Sequence, residues 1–386
     1  MKIDQPWLTS APTRAVCDAL TAAKAEIYFV GGCVRNALLK EPVSDLDLST
    51  NVEPERVVEA ATVAGLKAIP TGIDHGTVTV VADGIPFEIT TFRKDVATDG
   101  RRAVVAFATD IAEDARRRDF TMNALYARPN GEVVDPLGGL DDLRARRVRF
   151  IGDATQRIRE DYLRILRYFR FHSWYGDAAE GFDPEALGAI AETQEGLDHL
   201  SRERVGSEMI KLLSAADPAP SIATMRQIGV LAHVLPGADD RALAPLIHLE
   251  AGMPIEAETR LAALGGDNIQ DTLRLSKAVA ARVTLLRQLA EGMAGAAELA
   301  YRHDVDTARR ALVLRSALLE TPLSPQLEAD ITLGASAKFP ISAQDLMPFV
   351  QGAALGHALK TLEAEWIASG FQIDKQGLIE RLPDIR

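Results

Sequence analysis

Asp45-Leu46-Asp47 is the pair of acids whose type and spacing speak most directly of chemistry in this chain. Side chains alternate faces along a strand, so the two carboxylates point to one side, roughly 6–7 Å apart, while Leu46 turns to the core. Such a pair suits Mg²⁺, a hard cation that prefers oxygen ligands and keeps water positions free for substrate phosphates. Upstream, Gly31-Gly32 opens what reads as a short helix. Glycines let a backbone approach a ligand closely, and a helix N-terminus offers unpaired N–H groups and positive dipole to phosphate. Arg35, one turn into that helix, has the reach to join the same phosphate. In FEITTF, Glu88 alternates opposite to Phe87 and Ile89, which makes it a candidate third carboxylate. A bare D-x-D is usually a solvated strand end; the glycine turn ahead of it changes the reading.

A second constellation lies in IREDYLRILRYFRF, residues 158–171. Asp161 and Arg164 are three apart and are expected to share one helix face. The Watson–Crick edges of cytosine and adenine both present an amino donor beside a ring-nitrogen acceptor. A carboxylate accepting and a guanidinium donating match that pattern. Guanine and uracil present the reverse order and would leave buried groups unpaired, which is costly. One Asp–Arg pair therefore admits C and A and rejects G and U without a template. Arg167 and Arg170 continue the stripe toward a triphosphate or RNA phosphates. Tyr168, Phe171 and Trp174 recur at helical spacing and read as core packing. His303-Asp304 resembles the doublet of metal phosphohydrolases, but the seven histidines are scattered, so the pair reads as surface. Cys33 lies near the glycine turn with nothing to mark it as a nucleophile.

These side chains need a scaffold. Residues 12–24 read as a helix, Ile27–Val30 as a buried strand, the stretch to about Lys40 as a helix and Leu46–Thr50 as the next strand. Pro54 suits the first turn of a helix to about Ala64. GTVTVVAD (76–83) and IPFEITTF (85–92) meet at Asp83-Gly84, a hairpin signal. Residues 93–107 open charged and close apolar, as a loop leading into a last strand. From Asp153 onward the chain is rich in Ala, Leu, Arg and Glu with regular turn punctuation, an all-helical half. The expected fold is an α+β domain with a mixed sheet over 1–150, a helical neck over 151–215, and a helical body and tail over 216–386.

At 386 residues with 47% hydrophobic and 25% charged residues, the composition is that of an ordinary globular protein. Two cysteines are too few for a disulfide framework and suit a reducing, cytoplasmic setting. The N-terminus carries no secretory signal pattern, and no window is apolar enough for a membrane span. A net charge of −12 argues against indiscriminate nucleic-acid binding. Between Arg93 and Arg170, however, 17 Arg and Lys stand against 13 Asp and Glu. A basic middle in an acidic chain points to a localised anionic partner.

GGCVRN…DLD resembles the first motif, approximately G-G-x-V-R-D followed by D-x-D, of the class II nucleotidyltransferases that include CCA-adding enzymes and bacterial poly(A) polymerases. Asn36 stands where that family usually has Asp. DARRRDFTMNALY (114–126) is similar to the family's R-R-D segment, VVDPLGGLDDLRARRVRFIG (133–152) to its D-P-x-G-G connector, IREDYLRILRYFRF to its nucleotide-reading helix, and SRERVGSEMIKLL (201–213) to its last shared helix. The five run in order over residues 27–213. The resemblance implies a nucleotidyltransferase palm, Mg²⁺ on Asp45 and Asp47 with Glu88 as a further catalytic carboxylate, and nucleotide contacts from Gly31, Gly32, Arg35, Arg118, Asp119, Asp161, Arg164, Arg167 and Arg170. Arg116 and Arg117 compete with Arg118 for that role. It implies transfer of CMP and AMP from CTP and ATP to the 3′ end of tRNA, with the acceptor arm held by the basic middle and part of the helical tail. A poly(A) polymerase is the nearest rival, and the chain's end, IDKQGLIERLPDIR, lacks the basic extension expected of one. A C-C-only enzyme would lack a charged loop like 93–107. A catalytically idle RNA- or nucleotide-binding regulator is the rival of another class.

Overall fold

The computed structural model describes residues 1–98 and 103–382. The chain divides into two compact units, Met1–Pro236 and Gly237–Arg386.

The first unit opens with α1 (Pro6–Thr9) and α2 (Ala11–Ala22), the latter started by Ser10, whose hydroxyl accepts from the Thr13 N–H. β1 (Ile27–Val30) is IYFV, buried along its whole length. It runs into α3 (Gly32–Leu39), then β2 (Asp47–Thr50), and α4 (Pro54–Val63) with proline in its first turn. β3 (Lys67–Gly72), β4 (Thr77–Ala82) and β5 (Ile85–Thr91) follow. Asp83 (φ 49°) and Gly84 (φ 78°) both take the left-handed conformation that a tight β4–β5 hairpin needs. With β8 (Tyr126–Ala127) and β9 (Val133–Val134), these strands form a seven-stranded sheet ordered β3-β4-β5-β2-β1-β8-β9. β2 and β5 are parallel; the other neighbours are antiparallel. Three strands of this sheet, β3, β8 and β9, are not expected from the sequence; β3 is largely exposed and carries Pro70, which a sheet tolerates at its edge, and β8 and β9 are two residues each.

Residues 93–107 differ from the expected loop-then-strand. β6 (Arg93–Thr98) and β7 (Ala103–Phe107) pair as a separate antiparallel ribbon with a register shift between Asp95 and Ala97. The closing strand is present, and the opening half is also strand. Residues 99–102 of the segment lie outside the described residues.

α5 (Ile111–Arg116) and α6 (Gly139–Arg144) complete the palm. A Cβ added at Gly139 would stand 2.2 Å from the Thr121 carbonyl oxygen, so only glycine lets α6 lie against that backbone. The neck comprises α7 (Ala154–Glu160), α8 (Leu163–Tyr175), α9 (Pro184–Thr193) and α10 (Arg202–Leu213), followed by α11 (Ala219–Gln227) and α12 (Val230–Val234). Here the expectation of one continuous helix over 158–171 is corrected. Asp161 is extended (φ −155°, ψ 103°), ends α7, and accepts from the Leu163 N–H to start α8. Tyr168 and Phe171 are core, as expected; Trp174 is 45% exposed and is not. Its indole N–H donates to the Lys211 carbonyl on α10.

The second unit is helical throughout its described residues, from Leu243–Leu249 to Lys375–Glu380, with one cluster built around Leu346, Leu362, Trp366 and Leu378. Asp304 caps the helix Val305–Leu318 by accepting from the Thr307 N–H, which gives the His303-Asp304 doublet a structural role.

Candidate active site

Alternation in β5 buries Phe87 and Ile89 and exposes Glu88. In the parallel ladder Asp47 is the register partner of Glu88, so their side chains rise from the same face. Asp45 is exposed just before β2 and accepts from the Ser44 hydroxyl at 2.8 Å. Although Asp47 has an open face, the protein around its carboxyl raises its pKa from the usual range. Glu88 and Asp45 add to that rise, and Arg118 acts against it. The result is a crowded anionic edge at the mouth of the sheet.

Gly31 precedes α3 with φ 70° and ψ −120°, a conformation that disfavours any side chain. Facing it is Arg118, whose Nη1 lies 3.6 Å from the position a Cβ would take at Gly31. Its other nitrogens are held by Asp114 (2.9 Å), the Tyr126 hydroxyl (3.0 Å) and Ser49 on β2 (3.4 Å). One guanidinium thus stands between the glycine turn and the carboxylate strand. Its neighbours go elsewhere: Arg117 pairs with Asp114, and Arg116 is exposed beside Arg149 at a cavity between palm and neck. Burial alone would raise the Asp114 pKa, but Arg118, Arg117 and the Tyr126 hydroxyl hold it at about 2. Asp114 went unnoticed in DARRRDF, yet it lies four residues before Arg118, the spacing of a helical ion pair.

Arg35 is buried beneath the turn, with Nη2 3.8 Å from a Gly32 Cβ. It donates to Asn36 Oδ1 (3.1 and 2.9 Å), to Asn123 Oδ1 and to the Tyr175 hydroxyl (2.8 Å). Asn36 in turn donates to the Pro42 carbonyl at 2.7 Å, tying α3 to the loop that leads to Asp45. A carboxylate there could not donate that bond. Asp119 is buried and fully committed, to Asn123 (3.0 Å), its neighbour's N–H and Arg167 Nε (2.8 Å), so it anchors Arg167 rather than facing the turn. Cys33 is buried, and burial pushes its thiol up to about 11, in keeping with an inert side chain.

Asp161 and Arg164 flank the α7–α8 break with different partners. Asp161 accepts from Arg204 on α10 at 2.7 Å; Arg164 donates to Glu160 and to the Arg157 carbonyl, each at 2.6 Å. Arg170 pairs with the buried Glu208. Three guanidiniums, from Arg35, Arg167 and Arg170, ring Phe171 at 5.1, 5.3 and 4.6 Å. Arg204 and Glu208 carry no signal of their own in the sequence because each acts through a partner on another element; Glu160 stands beside Asp161 in the quoted run and pairs both with Arg157 on α7 and with Arg164 on α8.

Residues 27–149 match the model of the poly(A) polymerase head domain, and residues 181–241 that of the probable RNA and SrmB-binding site of polymerase A. CCA tRNA nucleotidyltransferase 1, mitochondrial, of Danio rerio is 32% identical over 377 residues, 92% of this chain and 87% of that one. The chain belongs to the CCA tRNA nucleotidyltransferase family. The Homo sapiens relative of the same name is 38% identical over 66% of this chain, and the chain spans only 57% of its length. The CCA-adding enzyme of Bacillus stearothermophilus, solved in complex with CTP, has the same fold, with a TM-score of 0.77 at 26% identity over 99% of both chains.

The family works with a divalent metal. The donor chemistry here fits one: Asp45, Asp47 and Glu88 supply only carboxylate oxygens, burial and then the neighbouring acids raise the Asp47 pKa, and neither Asp47 nor Glu88 forms an ion pair among the described residues. Among the described residues no three His, Cys, Asp or Glu side chains are gathered closely enough to hold a metal ion between them. An open carboxylate edge leaves ligand positions to water and phosphate.

Proposed function

We infer that this protein adds C, C and A to the 3′ end of tRNA from CTP and ATP, releasing pyrophosphate without a template. The observation that carries the reading is Arg118, bonded to Ser49 on the carboxylate strand and turned toward Gly31. A triphosphate laid between them meets a guanidinium, the α3 N-terminus and the acidic edge at once. Gly31 and Gly32 admit its phosphates, with Arg35 beneath. The primer 3′-hydroxyl gives up its proton to solvent as its oxygen bonds to the α-phosphorus, the bond to the α–β bridging oxygen breaks, and pyrophosphate leaves with that oxygen. Asp45 and Asp47 would hold a Mg²⁺ ion, which would supply a lowered pKa for the 3′-hydroxyl and offset charge on the leaving group. Glu88 adds the third carboxylate beside Asp47.

Base choice falls to Asp161 and Arg164, which exchange Arg204 and Glu160 for the amino group and ring nitrogen of cytosine or adenine. Arg167 and Arg170 extend positive charge along α8, and the tRNA acceptor arm is recognised by shape and phosphate. No described helix is long and apolar enough to cross a membrane. Both cysteines are buried free thiols, which suits the cytoplasm.

The deciding experiment offers purified protein a tRNA lacking its last three nucleotides, with each nucleoside triphosphate alone and in pairs. C addition with CTP, completion only with CTP plus ATP, and no product from GTP or UTP are expected. A long adenosine ladder on unrelated RNA would assign a poly(A) polymerase instead, and no metal-dependent turnover an idle binder.

A further inference from the structure

Tyr175 is the last residue of α8, at the far end of that helix from Arg164. Thirteen residues separate the helix ends by about 20 Å. The Arg35 guanidinium lies 3.9 Å over the Tyr175 ring, and its Nη2 donates to the hydroxyl. Arg35 is 140 residues earlier, in the helix that opens at the glycine turn. Tyr175 falls between two of the motifs legible in the sequence, after the run that ends at Phe171 and before the one that opens at Ser201.

What surrounds Arg35 is unusual for a buried cation. Its hydrogen-bond acceptors are two amide oxygens and a phenol, and its other neighbours are the ring faces of Tyr175 and Phe171. Asp119, which attracts it, is bonded to Asn123 and Arg167 rather than to Arg35. A buried guanidinium without its own carboxylate is costly unless something else holds it. Amides and ring faces hold the cation without cancelling its charge. The guanidinium so held lies close to Gly32, its Nη2 3.8 Å from where a Cβ would stand.

The same contacts form a closed circuit. Tyr175 holds Arg35, Arg35 holds Asn123, Asn123 holds Asp119, and Asp119 holds Arg167, which is again on α8. The helix is therefore fastened to the glycine turn at two points about two turns apart. Without Tyr175 the circuit opens: the link from Arg167 to Asp119 and the Arg35 contact with Phe171 remain, but Arg35 loses the hydroxyl and ring that fix its guanidinium from the end of α8.

We propose that Tyr175 is a positioning residue: it locks Arg35 under the glycine turn and sets the spacing between the triphosphate grip and the base-choosing end of α8. The inference rests on reading that turn as the triphosphate site. Because phosphates are common to all substrates, Tyr175 acts on CTP and ATP alike. Because α8 carries the reader, Tyr175 also guards against G and U.

The test uses the full chain and a tRNA lacking its last three nucleotides. Tyr175→Leu removes ring and hydroxyl, Tyr175→Phe the hydroxyl alone, and Arg35→Ala is the reference. Tyr175→Leu is expected to raise KM for CTP and ATP together by about tenfold, with kcat within about twofold and increased use of UTP and GTP. Tyr175→Phe falls between, since it keeps the ring over Arg35. Melting temperatures separate this from packing, which would lower stability and leave the KM of the folded fraction unchanged. If Tyr175→Leu does not fold, the KM values of Tyr175→Phe decide. Wild-type KM values in the folded Tyr175 variants, with Arg35→Ala impaired, overturn the proposal and leave the triphosphate reading standing. Wild-type KM values in Arg35→Ala overturn the triphosphate reading and the proposal with it.

Discussion

Asp47 on β2 and Glu88 on β5 are direct neighbours in a parallel ladder, both exposed and both on one face. Like charges set side by side on a sheet are destabilising by up to about 1 kcal/mol. On the proposed function, the pair is kept for its chemistry at a cost in stability. Glu88→Gln is therefore expected to raise the melting temperature slightly while lowering kcat. Asp47→Asn should cost about 10²-fold or more in kcat with no loss of fold. Parallel thermal melts and single-turnover nucleotide transfer check both signs; a Glu88→Gln protein that is less stable and equally active would remove Glu88 from the site.

Asp114 is a buried carboxylate shared by Arg117, Arg118 and Tyr126. Asp114→Asn breaks that sharing and is expected to destabilise the first unit by about 3–5 kcal/mol in urea. The pH dependence has a definite sign. Its folded pKa, about 2, lies below the ordinary Asp value of about 3.9. The stability it contributes is full above the ordinary value and disappears as pH falls through about 2. The gap between wild type and Asp114→Asn should close over that window; a gap independent of pH would mean the loss is one of packing.

Arg204 holds Asp161 from α10. Asp161→Ala should relax rejection of GTP and UTP by about ten- to a hundredfold while leaving triphosphate affinity within a few-fold. Arg204→Ala, which frees the carboxylate without removing it, should move discrimination less. Competition between labelled CTP and UTP reads both; unchanged preference in Asp161→Ala would take base choice away from this position.

Gly139→Ala would set a methyl 2.2 Å from the Thr121 oxygen, a backbone atom that cannot swing aside. A loss on the order of 3 kcal/mol is expected, visible as a lower denaturation midpoint. Gly138, with nothing within 4 Å of an added Cβ but φ of 74°, should suffer less from the same change.

The parts of this site legible in sequence are those fixed by local geometry. Gly31-Gly32 follows from a turn, Asp47 from strand alternation, and Glu88 from the burial of Phe87 and Ile89 on either side; Asp45, expected on the same strand as Asp47, lies in the segment before β2, where alternation does not set its direction. What stayed hidden depends on distant partners. The extended backbone at Asp161 interrupts a run with every mark of one helix, and Arg204, 43 residues on, holds the carboxylate that caps α8. β3 was obscured because an exposed edge strand has little apolar pattern to show. Trp174 obeys the spacing of a core residue, yet periodicity cannot tell where the neighbouring helix ceases to cover it. Asn36 is readable as a departure from a motif, but not as the donor to Pro42.

The arginines of α8 meet a ligand already spoken for. Arg164 is held by Glu160, Arg167 by Asp119 and Arg170 by Glu208. An incoming base at Arg164, or a phosphate at Arg167 or Arg170, must compete with a resident carboxylate, so a single stray anion has little to gain by entering. Only a guest with several negative groups, spaced to unseat more than one of these residents together, recovers what the exchange gives up. The empty enzyme should thus ignore inorganic phosphate and nucleoside monophosphates at the concentrations a cell contains, and save its grip for the triphosphate.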